Sequence, residues 1–494
     1  MESPTPAPRA PAPGSVPVPL ADVLRIANEY ERAGRLAEAK RLLECVLAAS
    51  PNQGDALHLS GIVAFRMGDP VTSLEFMEAS LRHGIDTPLY LRNICEVYRT
   101  LGRLDDALAA AQRATMLAPA DPLCLHNQAI IHYHRGELDA CLDCAGQALR
   151  IDPGLPGAHF VRAEALLQRG ELEEGWEEYE WRFRIGGAAP LMPPTDKPQW
   201  DGAVLCEGAA PGLGGPSGQS GAHGQGTLLL IADQGFGDAI QFCRYIPWAE
   251  QRCADVAIAC SLELAPLLRQ VTPRARLFQR WPDCPDYAAF AALSGLPRLA
   301  GTRVDNVPVP IPYLRADPAR VALWKQRLDW LVTEGFRRIG VIWAGRPTHN
   351  NDRNRSALLT DFLPIANVPG IALLALQKGP KTGEAGEYYG RAPLINVGAE
   401  IQDYDDTMAI LENIERLVTV DTSVAHLAGA MGRPVWIMLP RAPDWRWLLE
   451  RGDSPWYPTV RLFRQTQVRR WDDVAQRIAA ALREEGEGRE LVTE

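Results

Sequence analysis

Two short strings in this sequence carry residue types at spacings from which chemistry can be built. The first, TLLLIADQGFGDAIQFCRYIP, begins at Thr227. It reads as an apolar strand, a glycine-containing loop and an amphipathic helix, which together form a substrate cradle. Gly235 and Gly237 let the backbone come close to a ligand, and Asp238 stands at the helix N-terminus, where its charge is favoured. Gln241 follows on the same helix and is grouped with this cradle. In the second string, VTVDTSVAHLAGAMGRPVW, a buried strand ends at Asp421. Thr422, Ser423, Val424 and Ala425 then open a small-residue helix that bears His426. Hydroxyls and free amides at such a helix start suit a phosphate. The helix dipole and His426 would stabilise charge building on a departing diphosphate without a metal. Either string alone has an ordinary reading as a capped turn or a core histidine; their combination favours a site.

The elements around these strings alternate. DVAIACS, RRIGVIWAG, GIALLALQKG and the strand before Asp421 are separated by helical segments, which indicates parallel sheets flanked by helices. Two doubly wound sheets are expected, one before about Leu331 and one after. Ligands in such sheets lie beyond the carboxyl ends of the strands, where Gly345, Gln377 and the loop from Asp421 to His426 emerge. The acidic DYDD, Asp403 to Asp406, precedes an amphipathic helix and reads as a cap rather than a metal pair. The closing helix, WDDVAQRIAAALREE, is expected to cross back onto the first half. The stretch RWPDCPDYAAFAALSGLPRLAG gives poor strand signals.

Ahead of this half lies a repeat. Glycines recur at Gly34, Gly68, Gly102, Gly136 and Gly170, and prolines at Pro51, Pro119 and Pro153 keep the same frame, with Ile85 standing in the proline position of the second unit. The spacing of 34 is the tetratricopeptide period. Each glycine permits a tight turn between two helices. Ala39, Ser73, Ala107, Cys141 and Gly175, five positions further on, let the helices approach closely. Stacked repeats make a concave surface that usually binds peptides or proteins; a purely dimerising or propping array is the alternative. The last helix, ELEEGWEEYEWRFR, carries Trp176, Tyr179 and Trp181 and reads as a cap docking on the next domain.

The bulk properties bound the rest. A chain of 494 residues predicts about three units. With 46% hydrophobic and 23% charged residues it is ordinary globular material. A net charge of -10 argues against nucleic acid as a partner. No apolar run spans a bilayer and the Pro/Ala-rich start lacks the regions of a signal peptide, so a cytoplasmic location is expected. The ten cysteines show no paired framework, and Cys141 and Cys144, although a CxxC, read as core residues. The expected domains are a disordered start (1–19), the repeat array (20–185), a Gly/Pro-rich flexible linker holding a solvated His223 (186–226), and two halves of the α/β region (227–330 and 331–494).

QGFGDAIQFCRYIP together with VDTSVAHLAGAMGRPVW resembles the glycosyltransferase family that includes the ADP-heptose:lipopolysaccharide heptosyltransferases. The likeness runs from about Thr227 to the C-terminus. The whole chain, with DWRWLLERGDSPWYPTVRLFRQ from Asp444, resembles bacterial tetratricopeptide-repeat glycosyltransferases, which are compared with protein O-linked sugar transferases. This resemblance implies a helical repeat solenoid followed by a GT-B fold of two Rossmann-like halves. It implies Asp238 as the base that deprotonates an acceptor hydroxyl. It matches Asp421, Thr422 and His426 to a diphosphate loop, with Ser423 in place of the family's glycine. A basic residue after the first strand of the second half corresponds to Arg353 or Arg355, and Gln377 falls where the nucleoside is held. Asp444 and Trp445 join the nucleotide-sugar site, Trp456 and Tyr457 are candidates to stack on base or sugar, Asp453 to accept ribose hydroxyls, and Arg441, Arg446 and Arg464 to supply positive charge. The expected function is metal-independent sugar transfer from a nucleotide-sugar co-substrate, with no other cofactor, to a protein recruited by the repeats, for instance a bacterial surface or flagellar protein. The alternatives are a transferase building lipopolysaccharide or another glycan, and a scaffold with a degenerate catalytic region.

Overall fold

A computed structural model describes residues 18–83, 86–186, 193, 195–205, 226–308, 310–349 and 351–493. The expectations for the first seventeen residues, for Ile85 and for His223 lie outside them. The chain divides into two compact units, Met1–Ile131 and His132–Glu494.

The first unit is helical. It contains α1 (Leu20–Arg32), α2 (Leu36–Ala49), α3 (Gly54–Arg66), α4 (Pro70–Arg82), α5 (Pro88–Leu101), α6 (Leu104–Leu117) and most of α7 (Pro122–Arg135). Consecutive helices pack in pairs around small buried cores, such as that of Ala27, Ala39, Leu43 and Val63. The second unit opens with α8 (Leu138–Ile151), α9 (Pro156–Arg169) and α10 (Leu172–Tyr179).

The five repeat glycines all sit in the left-handed region, with φ of 75°, 85°, 77°, 74° and 86°. That conformation closes each inter-helix turn and costs an L-residue about 1–2 kcal/mol. No atom lies within 4 Å of a Cβ built on Gly34, so Gly34→Ala isolates the strain. Urea unfolding of the first unit should show a loss of about 1 kcal/mol, and an unchanged midpoint would contradict the assignment. Ala39, Ser73, Ala107 and Cys141 are fully buried, and a Cβ on Gly175 would lie 2.7 Å from Leu167 Cδ2. Small residues are what these crossings admit. Cys144 is buried beside Cys141 on α8, and burial pushes its thiol up to about 11, as expected of packing residues.

Two parallel sheets follow. The first half comprises β1 (Thr227–Ile231), α11 (Phe236–Phe242), α12 (Ile246–Glu250), β2 (Asp255–Ala259), α13 (Ala265–Val271), β3 (Arg276–Phe278), β4 (Ala289–Ala292) and α14 (Leu296–Leu299). Its strand order is β3-β2-β1-β4. β1, paired with β2 on one side and β4 on the other, is buried from Leu228 to Ile231, the continuous apolar run of a strand covered on both faces. α15 (Pro318–Leu331) leads to β5 (Arg337–Ile342), α16 (Asp352–Arg355), α17 (Leu363–Ala366), β6 (Ile371–Ala375), β7 (Leu394–Asn396), α18 (Tyr404–Glu412), β8 (Arg416–Val420), α19 (Ser423–Ala430), β9 (Val435–Leu439), β10 (Val460–Arg464) and α20 (Asp472–Thr493). This second sheet runs β7-β6-β5-β8-β9-β10. Counted from its own first strand the order is 3-2-1-4-5-6, that of doubly wound sheets.

Three details differ from the sequence reading. Within the expected flexible linker, Gln199 and Leu205 form parallel bridges to Phe290 and Cys253, and Trp200 is buried. The polar composition hid this because single bridges leave no periodicity. α15, placed before the expected boundary at 331, packs on α18 of the second half: Trp324 Nε1 donates to Asp406 Oδ1 at 3.0 Å. Over its described side chains α20 packs on the second half rather than crossing to the first. Its Val474, Ile478 and Leu482, with Trp471 just before it, share a core with Ile339, Val341 and Phe362 of the second, and Leu482 O accepts from Arg337 Nη1. The capping reading of DYDD matches the geometry, since Asp403 caps α18 by accepting from Asp406 N at 2.9 Å.

In the second unit one core runs from the last repeat into both sheets. It joins Leu167, Trp176 and Tyr179 to Leu228 and Ile240 of the first half and to Leu427, Ile437 and Trp445 of the second.

Candidate active site

The loops leaving the carboxyl ends of β1, β8 and β9 meet. On the first, Asp238 Oδ2 accepts from Gly235 N at 2.9 Å, closing the first turn of α11. Its Oδ1 is paired with Arg446 Nη2 from the loop after β9. Arg446 also donates from Nε to Gln241 Oε1 at 2.8 Å and from Nη1 to Asp444 Oδ1 at 2.9 Å, while Asp444 caps the same turn by accepting from Arg446 N. One buried guanidinium thus holds two carboxylates and an amide, and Gln241 Nε2 is left as a buried donor without a hydrogen-bond partner among the described residues. Burial opposes the charge on Arg446, but Asp238 and Asp444 outweigh it and hold the group well above its ordinary range. Burial likewise works against Asp444, and Arg446 prevails, so that carboxyl lies below its ordinary range.

The loop after β8 completes the cluster. Asp421 is 8% exposed; burial first and Asp444 second push it up to about 6. His426 Nδ1 is hydrogen-bonded to Tyr457 Oη at 3.0 Å, its ring lies 5.2 Å from that of Trp447, and its Nε2 is 3.9 Å from Asp421 Oδ1. Burial, then Arg446, depress it to about 3. It is therefore a neutral imidazole at pH 7 and offers hydrogen bonding rather than charge; the cations of the site are arginines. Gly237 makes the meeting possible, since a Cβ there would stand 2.8 Å from His426 Cδ2 and 3.6 Å from Ser423 Cα.

The sign of the histidine contribution to stability follows. The unfolded chain protonates His426 near 6.5 and the folded chain only near 3, so its contribution is complete above pH 6.5 and is lost progressively as the pH falls. Between pH 7 and 5 the wild type should lose about 2 kcal/mol that His426→Gln does not lose. Asp421 acts in the opposite sense, its contribution fading as the pH rises from 3.8 through about 6. Urea titrations of both proteins at the two pH values check this, and equal losses would contradict it.

The other expected residues are placed as follows. Ser423 Oγ is hydrogen-bonded to Tyr404 Oη at 3.0 Å, and Thr422, the N-cap of α19, does not cap it with its side chain. Thr422, Ser423 and Val424 are half-buried, whereas Ala425 is buried. Gly345, at the end of β5, donates to Ser356 Oγ and lies under Arg355, whose Nη2 would be 2.7 Å from an added Cβ. Arg355 bears electrostatically on both Asp421 and His426, which brings it to the site. Arg353 is on the same short helix, α16. Gln377 is spent on the backbone: Oε1 accepts from Trp343 N and Ala344 N, and Nε2 donates to Ala344 O and Lys378 O. That leaves it to shape the loop after β5.

The aromatic expectations are corrected. Trp445 is 2% exposed and meets Trp176 and Tyr179 edge-on. Trp456 and Tyr457 are also buried, Tyr457 lying against Gly429 of α19. These rings form core beneath the site because each is paired with another ring or a helix. Asp453 is exposed and paired with Arg451, Arg441 donates to Thr466 O, and Arg464 donates to Trp447 O and Arg451 O. Of the three arginines expected to bring charge, Arg446 alone is in the cluster.

Two residues escaped the sequence reading. His349, on the loop after β5, is held below the ordinary histidine range by partial desolvation and by Arg355, with Asp444 and Asp238 acting against this. Gln234, just before Gly235, has its amide bonded to Tyr179 Oη. A histidine beside NNDRNRS was the available signal for the first; nothing local marks the second.

The class of the N-terminal region is set by comparison as well as by geometry. Residues 24–88, and again 122–147 and 156–175, match family models of the tetratricopeptide repeat. The chain thus carries a tetratricopeptide solenoid ahead of an α/β region of two parallel sheets, and such repeats present a surface to peptides or proteins. Over 483 residues it is 27% identical to Protein FlbA of Caulobacter vibrioides, covering 93% of this chain and 72% of that one. Among solved structures, the pilF protein of Pseudomonas aeruginosa is 18% identical over 34% of this chain and 76% of its own, with a TM-score of 0.31. MamA of Desulfovibrio magneticus RS-1 is 18% identical over 32% of this chain and 91% of its own, with a TM-score of 0.30. Among the described residues no helix is long and apolar enough to cross a membrane.

Proposed function

We propose that the chain is a nucleotide-sugar-dependent glycosyltransferase of GT-B architecture acting on a protein held by its repeats. The observation that carries this reading is the meeting of the carboxyl ends of two parallel sheets around one set of side chains: Asp238 after β1, Asp421 and His426 after β8, Asp444 and Arg446 after β9. Ligands of doubly wound sheets lie beyond the carboxyl ends, where the strand order reverses. Here that point is between β5 and β8, neighbours in the second sheet, from which Gly345 and Asp421 emerge.

In this reading the start of α19 and Arg355 receive the diphosphate of the donor. Arg446 turns from Asp238 to the diphosphate, which frees Asp238 Oδ1. Asp238 then takes the proton of an acceptor hydroxyl as that oxygen bonds to the anomeric carbon. The bond from that carbon to the diphosphate oxygen breaks, and the electron pair leaves on a nucleotide stabilised by the arginines and by hydrogen bonding from neutral His426. Removing a charge-assisted phosphate contact costs about tenfold in affinity or more, so Arg355→Ala should raise the donor KM by about that factor; an unchanged KM would remove Arg355 from the donor site.

A binding-only scaffold is the second reading, and the engagement of both Asp238 oxygens favours it. Incubating the full chain with a bacterial protein extract and UDP-, ADP-, GDP- or CMP-sugars labelled in the sugar separates the two. Label entering protein supports transfer, whereas its absence with every donor supports the scaffold.

A further inference from the structure

The last repeat is bonded to both loops that bring the charged cluster together. From α9, Gln168 Nε2 donates to Pro443 O at 2.7 Å, one residue before Asp444. From α10, Tyr179 Oη is bonded to Gln234 Nε2 at 2.9 Å, one residue before Gly235. Between them Trp445, which separates Asp444 from Arg446 in sequence, packs edge-on against Trp176 at 5.2 Å and Tyr179 at 6.0 Å. Gln168 is 1% exposed and Tyr179 4% exposed; the bond from Gln168 is shielded from water and that from Tyr179 is partly so, where a lost partner is felt most.

The sequence departs from its own repeat at these places. In the two preceding units the position of Trp176 holds Leu142 and Leu108, and the position of Tyr179 holds Ala145 and Ala111. Leucine and alanine suffice to pack one helix pair on the next. The larger rings, and the hydroxyl that Tyr179 directs to Gln234, serve the contact with the α/β region instead. Trp176 Nε1, donating to Thr302 O at 3.0 Å, belongs to the same contact.

We propose that Gln168 and Tyr179 are positioning residues, through which the fifth repeat sets the separation of the loops bearing Asp238 and Arg446 and hence the geometry of that pair. The inference rests on reading this cluster as the transferase site, but its structural half is testable without turnover. Hydrogen exchange of the full-length Gln168→Leu and Tyr179→Phe proteins, followed peptide by peptide, gives the first readout. Exchange should quicken by about tenfold in 233–238 and 443–447 and stay unchanged in the strands 339–342 and 371–375. Unchanged loops would overturn the proposal, as would an equal rise in the strands, which marks a merely structural role.

The second readout applies to a wild type that transfers sugar. There kcat should fall by about tenfold in both variants with the donor KM within about twofold; a change in KM alone would count against positioning. A wild type that transfers nothing would sink the transferase reading, while the exchange result still decides whether the repeat holds the loops.

Discussion

Replacing Arg446 by methionine should cost the second unit about 1–3 kcal/mol, because it leaves two half-buried carboxylates without the one cation they share. The guanidinium is 8% exposed and pairs with both Asp238 and Asp444, and no other cation forms an ion pair with either carboxylate among the described residues. Methionine conserves much of the volume, so packing contributes little to the loss. A triple variant, Arg446→Met with Asp238→Asn and Asp444→Asn, should recover a substantial part, since neutral amides need no counter-charge. Urea unfolding of the single and triple variants reads the effect as a coupling energy. A loss of less than about 1 kcal/mol in Arg446→Met would show that the three groups are solvated rather than mutually dependent.

Replacing Asp238 by asparagine should lower sugar transfer by at least about a hundredfold, the typical contribution of a positioned base, with donor binding preserved. Asparagine can still accept from Gly235 N and keep the first turn of α11, so the fold should persist. It cannot take up the proton of an acceptor hydroxyl. Initial rates with labelled donor, alongside calorimetric titration of the donor, separate the two effects. Transfer at the wild-type rate would remove the base assignment, and lost donor affinity would place Asp238 in the donor subsite instead.

The repeats were legible because their demands are local. A left-handed turn calls for glycine at Gly34 and its four counterparts, and a close helix crossing calls for Ala39, Ser73, Ala107, Cys141 and Gly175. The central strands were legible for the same reason: β1 and β6 are apolar runs, and β5 and β8 are apolar beyond their leading arginines, Thr419 aside. The three-residue β3 and β7 are too short for periodicity to register, and β4, the sequence AFAA, lacks the β-branched side chains that mark a strand. α20 showed its amphipathic period, but the period does not say which sheet receives its apolar face.

Part of the site was legible too. Each string put its residues at a strand-to-helix junction, Gly237 and Asp238 at one and Asp421 and His426 at the other, and the structure brings those junctions together. The pairing of Asp238 with Arg446 spans 208 residues, and no local pattern encodes it. The aromatic residues misled because a tryptophan or tyrosine near a candidate site serves core and ligand equally well until its neighbours are known. Trp445, Trp456 and Tyr457 have neighbours enough to be buried. The sequence also does not show how far His426 is buried, and it is that burial, then the nearness of Arg446, that depresses it to about 3.

Calorimetric titration of the full chain with UDP, ADP, GDP, CMP and their common sugar conjugates, without added metal, tests the central claim most directly. The account predicts that one nucleotide class binds and that His426→Ala weakens it by about tenfold, as befits one lost contact in the diphosphate loop. Binding by none of them would contradict a nucleotide-sugar site and leave the meeting of the two sheets as the frame of a scaffold.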